Sequence, residues 1–263
     1  MARIHPTAVV EPGARIDPSA LVGPFAVIGP HVVVGPACRV EAHAVLQGET
    51  ILGAGNRVGP HAVLGAPPQI RETTGDDAGG LEIGDGCWFR EMTTVHLGGA
   101  PGRLTRVGSR CMLMAYSHIA HDCVVGDGVE LANGVQLAGH VEVGDHASLG
   151  GLAAVHQFVR VGRLAFVGAG AMVSQDVPPF ALASGDRARV YDTNRVGLQR
   201  RDVAPHVRRR VRTALRMLLT APTVAEGVAA VREAVEPCAE VDELVEFVLA
   251  SRRGVCRLVG GCR

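Results

Sequence analysis

Apolar residues recur at every sixth position, and nothing else in the chain constrains its fold as tightly. From Ile4 the steps run Val10, Ile16, Val22, Ile28, Val34, Val40, Leu46, Leu52, Val58 and Leu64. The phase breaks over residues 66–80 and resumes at Ile83, Phe89 and Val95. It breaks again near 97–105, then runs without a gap from Val107 to Val173. A helix needs a period near 3.6 and a half-buried strand a period of about 2. Six fits neither. It fits short strands joined by turns, three to a coil of 18 residues, each coil stacked on the last. The apolar residue then points inward. The residue after it is often glycine (Gly23, Gly29, Gly35, Gly53, Gly59), which would permit the corner, and the residue four after it is often alanine (Ala8, Ala14, Ala20, Ala26). About nine coils at roughly 4.8 Å each give a prism roughly 43 Å long. The expected fold is mainly β: a parallel β-helix over 1–179 with loop insertions near 66–80 and 97–105.

Past that point the period changes. Val203, Val207, Val211, Leu215 and Leu218 recur at helical spacing from about residue 199, and Pro222 ends the run. Thr223-Val-Ala-Glu226 reads as a capping box, and a third helix is expected over 240–252. Residues 180–263 are thus expected to form a small helical domain.

Charge separates the same two parts. All 26 basic residues are arginines, balanced by 26 acids. Residues 1–179 carry eleven arginines against sixteen acids, whereas 180–263 carry fifteen against ten. The overall balance argues against a general nucleic-acid binder. The seven cysteines are scattered, odd in number and without a CxxC pair, which fits reduced thiols better than disulfides or a zinc site. No apolar run is long enough for a transmembrane helix and no signal-peptide core stands at the N-terminus, so a cytoplasmic protein is expected.

Residues 18 apart stack vertically in such a fold. His121, Gly139 and Gln157 each lie two after a core position and therefore line one outward edge in three successive coils, about 4.8 Å apart. His118, Asp122, His140 and His156 lie beside them. Three readings of this edge compete: histidines that fill surface turns, a metal site made by His118, His121 and His140, and a histidine general base assisted by Asp122. The metal reading has its parallel in β-helical carbonic anhydrases, but those resemble a His-x4-His spacing on one rung where this chain has His-x2-His.

Several segments carry a resemblance. Ser117-His-Ile-Ala-His-Asp-Cys123, Leu131-Ala-Asn-Gly, Leu137-Ala-Gly-His140, Ala154-Val-His-Gln-Phe158, Gln175-Asp-Val-Pro-Pro179 and Gly197-Leu-Gln-Arg-Arg201 resemble, in order and spacing, the UDP-N-acetylglucosamine 3-O-acyltransferase family of the hexapeptide-repeat acyltransferases. The resemblance covers nearly the whole chain. It implies a left-handed β-helix and acyl transfer from an acyl carrier protein to a UDP-sugar, the first step of lipid A synthesis. It further implies His121 as base, Asp122 as its assistant, the Gly139 N–H as oxyanion donor, and His118, His140, Gln157, Asn194 and Arg200 as substrate-binding residues. No cofactor or metal is implied. Three prisms would pack side by side with the sites between them, a homotrimer, and the basic tail would steer the acidic carrier protein. A family position that sets acyl length falls on Ala169.

The chain departs from the family where the acceptor is read. In Pro68-Gln69-Ile70-Arg71-Glu72 the usual acid is replaced by Ile70, and the usual lysine by Arg71 or Glu72. His96-Leu97-Gly98-Gly99 stands for a His-Arg-Gly-Thr, and Val196 for a glutamate. A different nucleotide sugar, such as a 3-amino analogue, is the alternative acceptor.

Overall fold

The structure, a computed structural model, describes residues 3–71 and 77–260. Short parallel strands build three faces of a prism. The first face carries strands from Arg3–Ile4 to Ala181–Ser184, the second from Val9–Val10 to Met172–Val173, and the third from Arg15–Ile16 to Arg160–Val161. Each strand pairs in register with the strand one coil on: Ile119 with Leu137, Leu137 with Val155, Val155 with Val173. The six-residue step is therefore the distance from one face to the next.

The core is the column of hexad residues. Val22, Ile28, Val34, Leu46, Leu64, Leu113, Ile119, Leu137 and Val155 are buried. Each such burial contributes on the order of 1.5–3 kcal/mol. Ile4 alone among the hexad positions is 41% exposed, because it lies on the first coil and has a neighbour on one side only. The alanines of the motif precede strands and point inward: Ala20, Ala26, Ala44 and Ala62 have no exposed surface.

Glycine does a different task from the one expected. Gly23, Gly29, Gly35, Gly53 and Gly59, which follow core residues, do not have a positive φ. Left-handed backbone falls two residues later, at Phe25, His43, His61, Asp122, His140 and Phe158. A Cβ at Gly59 would stand 2.8 Å from the Phe89 carbonyl oxygen of the next coil. Glycine there lets coils stack closely rather than letting the chain turn.

The expected boundary at 179/180 cuts through β structure. Ala181–Ser184 adds a tenth rung to the first face and pairs antiparallel with Arg189–Thr193. Helix α1 covers Arg195–Arg200, α2 Pro205–Thr220, α3 Val224–Ala234 and α4 Ala239–Leu249. The single run expected from 199 is two helices. Pro205 forces Ala204 into an extended conformation (ψ 143°), so Val203 lies in the break. Thr223 caps α3 as expected, its Oγ1 accepting from the Glu226 N–H at 3.2 Å. The tail is sewn back onto the prism by Asp176: its carboxylate accepts from the Arg160 N–H and from Ser251 Oγ, both at 2.8 Å, and its carbonyl accepts from the Cys256 N–H.

Candidate active site at the corner between the second and third faces

Both insertions leave the prism at the same corner. Residues 67–79 and 97–103 each connect a second-face strand to a third-face strand, in the two coils beneath His121. Ile70 and Gly99, one from each loop, reach the His121–Asp122 pair. A Cβ placed on Gly99 would lie 2.7 Å from Asp122 Oδ2, 3.1 Å from Ile70 Cδ1 and 3.2 Å from His121 Nδ1.

The pair itself is a short hydrogen bond, His121 Nδ1 to Asp122 Oδ2 at 2.7 Å. Asp122 is a mostly buried carboxylate held from several directions: Gly99 N–H donates to Oδ1 at 3.2 Å, and Thr105 Oγ1 accepts from the Asp122 N–H at 2.9 Å. Burial alone would raise its pKa, but the hydrogen bonds from His121 and Gly99 and the charges of His140 and His121 outweigh burial and hold it below the ordinary value. An ionised carboxylate only accepts, so the bond places the proton of His121 on Nδ1 and leaves Nε2 as a lone pair. That lone pair lies over Gly139, where a Cβ would be 2.7 Å from Nε2. The Gly139 N–H has no hydrogen-bond partner among the described residues.

His140 lies one coil above Asp122, its Nε2 3.6 Å from Oδ2, edge-on to His121 and stacked flat on Phe158 at 4.4 Å. Burial first, then the charges of His121 and Arg103, lower its pKa against the opposing pull of Asp122. His118 points outward from the adjacent strand; its Nδ1 is 2.7 Å from Thr94 Oγ1, and burial lowers its pKa. Gln157 stands exposed above Gly139, completing the expected column. A cleft of about 710 Å³ opens beside the pair, running past Phe158 to Arg252 and Arg253.

The three-histidine metal set is not what the fold assembles. The ligand atoms that converge, within 4.8 Å of one another, belong to His121, Asp122 and His140; His118 is turned to Thr94.

Three other expected residues lie elsewhere. Ala169 sits at the corner between the first and second faces, stacked above Gly151. Asn194 caps α1: Oδ1 accepts from the Gly197 N–H at 3.0 Å and Nδ2 donates to the Leu164 carbonyl at 2.9 Å. Its polar atoms are thus committed at the corner between the third and first faces. Arg200 ends that same helix, and its neighbour Arg201 reaches His146 on the same corner. Arg71 is exposed, next to Ile70, and Glu72 lies outside the described residues.

Sequence reasoning missed Thr94, His96, Gly99, Thr105 and Phe158. His96 is 6% exposed, edge-on to His118 at 4.8 Å, and its Nδ1 has no partner among the described residues. Burial, reinforced by the charges of His118 and His121, pushes its pKa down to about 4. Thr94 and Phe158 had a signal, since they stack on His118 and His140. Gly99 lies within, and Thr105 just after, an insertion that breaks the register.

Over 256 residues the chain is 48% identical to the acyl-[acyl-carrier-protein]--UDP-N-acetylglucosamine O-acyltransferase of Anaeromyxobacter sp., covering 97% of this chain and 99% of that one. The chain belongs to the UDP-N-acetylglucosamine O-acyltransferase family. A family profile described as UDP N-acetylglucosamine O-acyltransferase, domain 2, matches residues 176–256, and a bacterial transferase hexapeptide profile matches 104–139. The Myxococcus xanthus protein of the same description is 45% identical over 98% of this chain and all of its own length. The solved structure of UDP-N-acetylglucosamine acyltransferase from Campylobacter jejuni superposes with a TM-score of 0.91 at 34% identity, covering 97% of this chain and 99% of that one. The prism of this family member is the expected left-handed parallel β-helix.

Proposed function

We propose that the chain moves a 3-hydroxyacyl group from an acyl carrier protein to the 3-position of UDP-N-acetylglucosamine, the first step of lipid A synthesis, with His121 as general base. One observation carries the assignment of residues: the Asp122 bond fixes the His121 tautomer so that a free Nε2 lies over an unbonded Gly139 N–H. His121 Nε2 takes the proton of the acceptor hydroxyl as its oxygen attacks the thioester carbonyl. The tetrahedral oxyanion accepts from the Gly139 N–H. Collapse expels the thiolate, which takes the proton back from His121. Asp122 stabilises the imidazolium formed between the two steps, and no cofactor takes part.

The substrate-binding residues implied by the family lie at three different corners of one prism. His118, His140 and Gln157 line one, Ala169 a second, Asn194 and Arg200 a third. A homotrimer, in which neighbouring prisms bring unlike corners together, reconciles this placement with a single site. Light scattering on active protein is expected to give three chains, and an active monomer would refute it. No helix of the described residues is long and apolar enough to cross a membrane, and six cysteines are free thiols; both suit a cytoplasmic enzyme.

A second acceptor is favoured by Ile70. An aliphatic side chain packed on Gly99 beside the base offers no hydrogen bond where the family has an acid. A relative of UDP-N-acetylglucosamine such as its 3-amino analogue would then be the better substrate. Purified protein, carrier loaded with 3-hydroxyacyl chains of several lengths and a panel of UDP-sugars test both readings. Turnover of UDP-N-acetylglucosamine supports the first, preference for the amino sugar the second, and transfer to neither would reject acyl transfer to UDP-sugars.

A further inference from the structure

Away from the histidine corner, the arginines of the tail converge on one cleft. It has a volume of about 310 Å³ and lies between the end of strand Arg189–Thr193, α1 and the first turns of α2. Its lining is Thr193, Leu198, Pro205 and four arginines, Arg195, Arg208, Arg209 and Arg212, with no acidic side chain. Arg212 is fixed by Asp192, Nε to Oδ1 at 2.9 Å and Nη2 to Oδ2 at 2.8 Å. Arg195, Arg208 and Arg209 have no ion-pair partner among the described residues. Arg208 Nε is buried without any hydrogen-bond partner. Neighbouring Arg210, by contrast, faces outward from the cleft and pairs with Glu236.

That arrangement is costly as it stands. A buried charged donor left unsatisfied costs on the order of 1–3 kcal/mol or more, and like charges gathered round a concavity repel one another. A multivalent anion relieves both. Guanidinium groups match phosphate oxygens two at a time, and a cleft with several of them selects a phosphate over a chloride or a lone carboxylate. Ala204 brings no side chain to cap α2, so the positive end of that helix adds to the same field.

We propose that this cleft is a phosphate-binding site, formed by Arg195, Arg208 and Arg209 and braced by the Arg212–Asp192 pair. The chemistry is that of a phosphate ester or diphosphate. It could be presented by the prosthetic arm of a carrier protein or by a nucleotide, and the test separates the two sources. The cleft lies at the α1–α2 junction, apart from the His121 corner of the same chain; the choice of a carrier arm or a nucleotide as its occupant rests on the acyl-transfer reading, whereas pyrophosphate binding does not.

The experiment is calorimetric titration of the full chain with inorganic pyrophosphate at low ionic strength. Saturable binding is expected. Arg195→Gln with Arg208→Met should weaken it by about tenfold or more, the loss of one charge-assisted bond or two. Arg195→Gln alone, an exposed substitution that leaves the packing intact, should weaken it by about threefold or more. Arg232→Gln, on α3, should bind as the parent does. Pantetheine 4′-phosphate and UDP are then used as competitors, each against the parent and the double variant. Displacement of pyrophosphate by pantetheine 4′-phosphate assigns the cleft to the carrier's arm, and displacement by UDP to a nucleotide; either supports a phosphate site. Absence of saturable pyrophosphate binding by the parent, or binding by Arg195→Gln and by the double variant equal to the parent's, overturns it.

Discussion

Two corners of the prism share one backbone and differ in everything else. At the corner between the first and second faces, the second turn positions are Ala115, Asn133, Gly151 and Ala169 and the third are Tyr116, Gly134, Leu152 and Gly170, with no histidine or carboxylate among them. At the corner between the second and third faces the corresponding positions are His121, Gly139 and Gln157, then Asp122, His140 and Phe158. Turn geometry is the same, down to the left-handed φ near 60° at Leu152 and at His140. The coil therefore supplies a regular set of sockets, and chemistry is a matter of which side chains occupy one column. The second difference is the insertions, 67–79 and 97–103, both at the histidine corner. Loop 97–103 donates to Asp122 through the Gly99 N–H, and Ile70 of the other insertion packs beside Gly99.

The hardest test of that comparison is removal of the base. His121→Ala is expected to lower turnover by about 10²–10⁴-fold while circular dichroism is unchanged. Near-normal turnover in a folded variant would place the chemistry elsewhere.

Glycine to alanine at the two corners separates socket from chemistry. Gly139→Ala puts a methyl against the His121 ring, and displacing a catalytic group by about 1 Å costs on the order of 10²-fold. Gly151→Ala meets only the Asn133 carbonyl oxygen at 3.3 Å and should leave turnover within about twofold. Equal losses would mean that both glycines serve stacking alone.

A third test sharpens the role of the insertions through pH. His96, beneath the loop 97–103, is native-state neutral down to about 4, against an ordinary 6.5. The unfolded chain binds that proton near 6.5 and the native chain does not until near 4. Stability from this group is therefore complete above 6.5 and is lost as pH falls through the interval, on the order of 3 kcal/mol in all. Denaturant melts of His96→Asn between pH 7 and 4 should show a flatter pH dependence than the parent. A parallel pair of curves would show that His96 is not held neutral.

The smallest effect is expected at the other corner. If a neighbouring chain brings Ala169 to the acyl groove, Ala169→Gly should shift preference by about one methylene toward longer chains, roughly fourfold, and Ala169→Met toward much shorter ones. Competition between loaded carriers reads this out, and an unmoved length profile in both variants would leave Ala169 on the surface.

The hexad period determined the faces, the inward column and the stacking of His121, Gly139 and Gln157, because a rigid repeat converts sequence distance into position. The capping of α3 was legible too, since a cap is a local bond between Thr223 and Glu226. Beyond the repeat that conversion fails. Nothing in the linear order says that Ile70 and Gly99 meet at Asp122, or that Asn194 spends its side chain on Leu164 and Gly197. Those are contacts between segments whose separation no period fixes. The β structure of residues 181–193 was not legible for the same reason: a strand that pairs antiparallel with its predecessor carries no hexad. The sequence by itself determined the scaffold and nominated His121 as the base through its resemblance to the family. Tertiary structure decided the tautomer of His121, through a 2.7 Å bond to a carboxylate that the Gly99 N–H also holds.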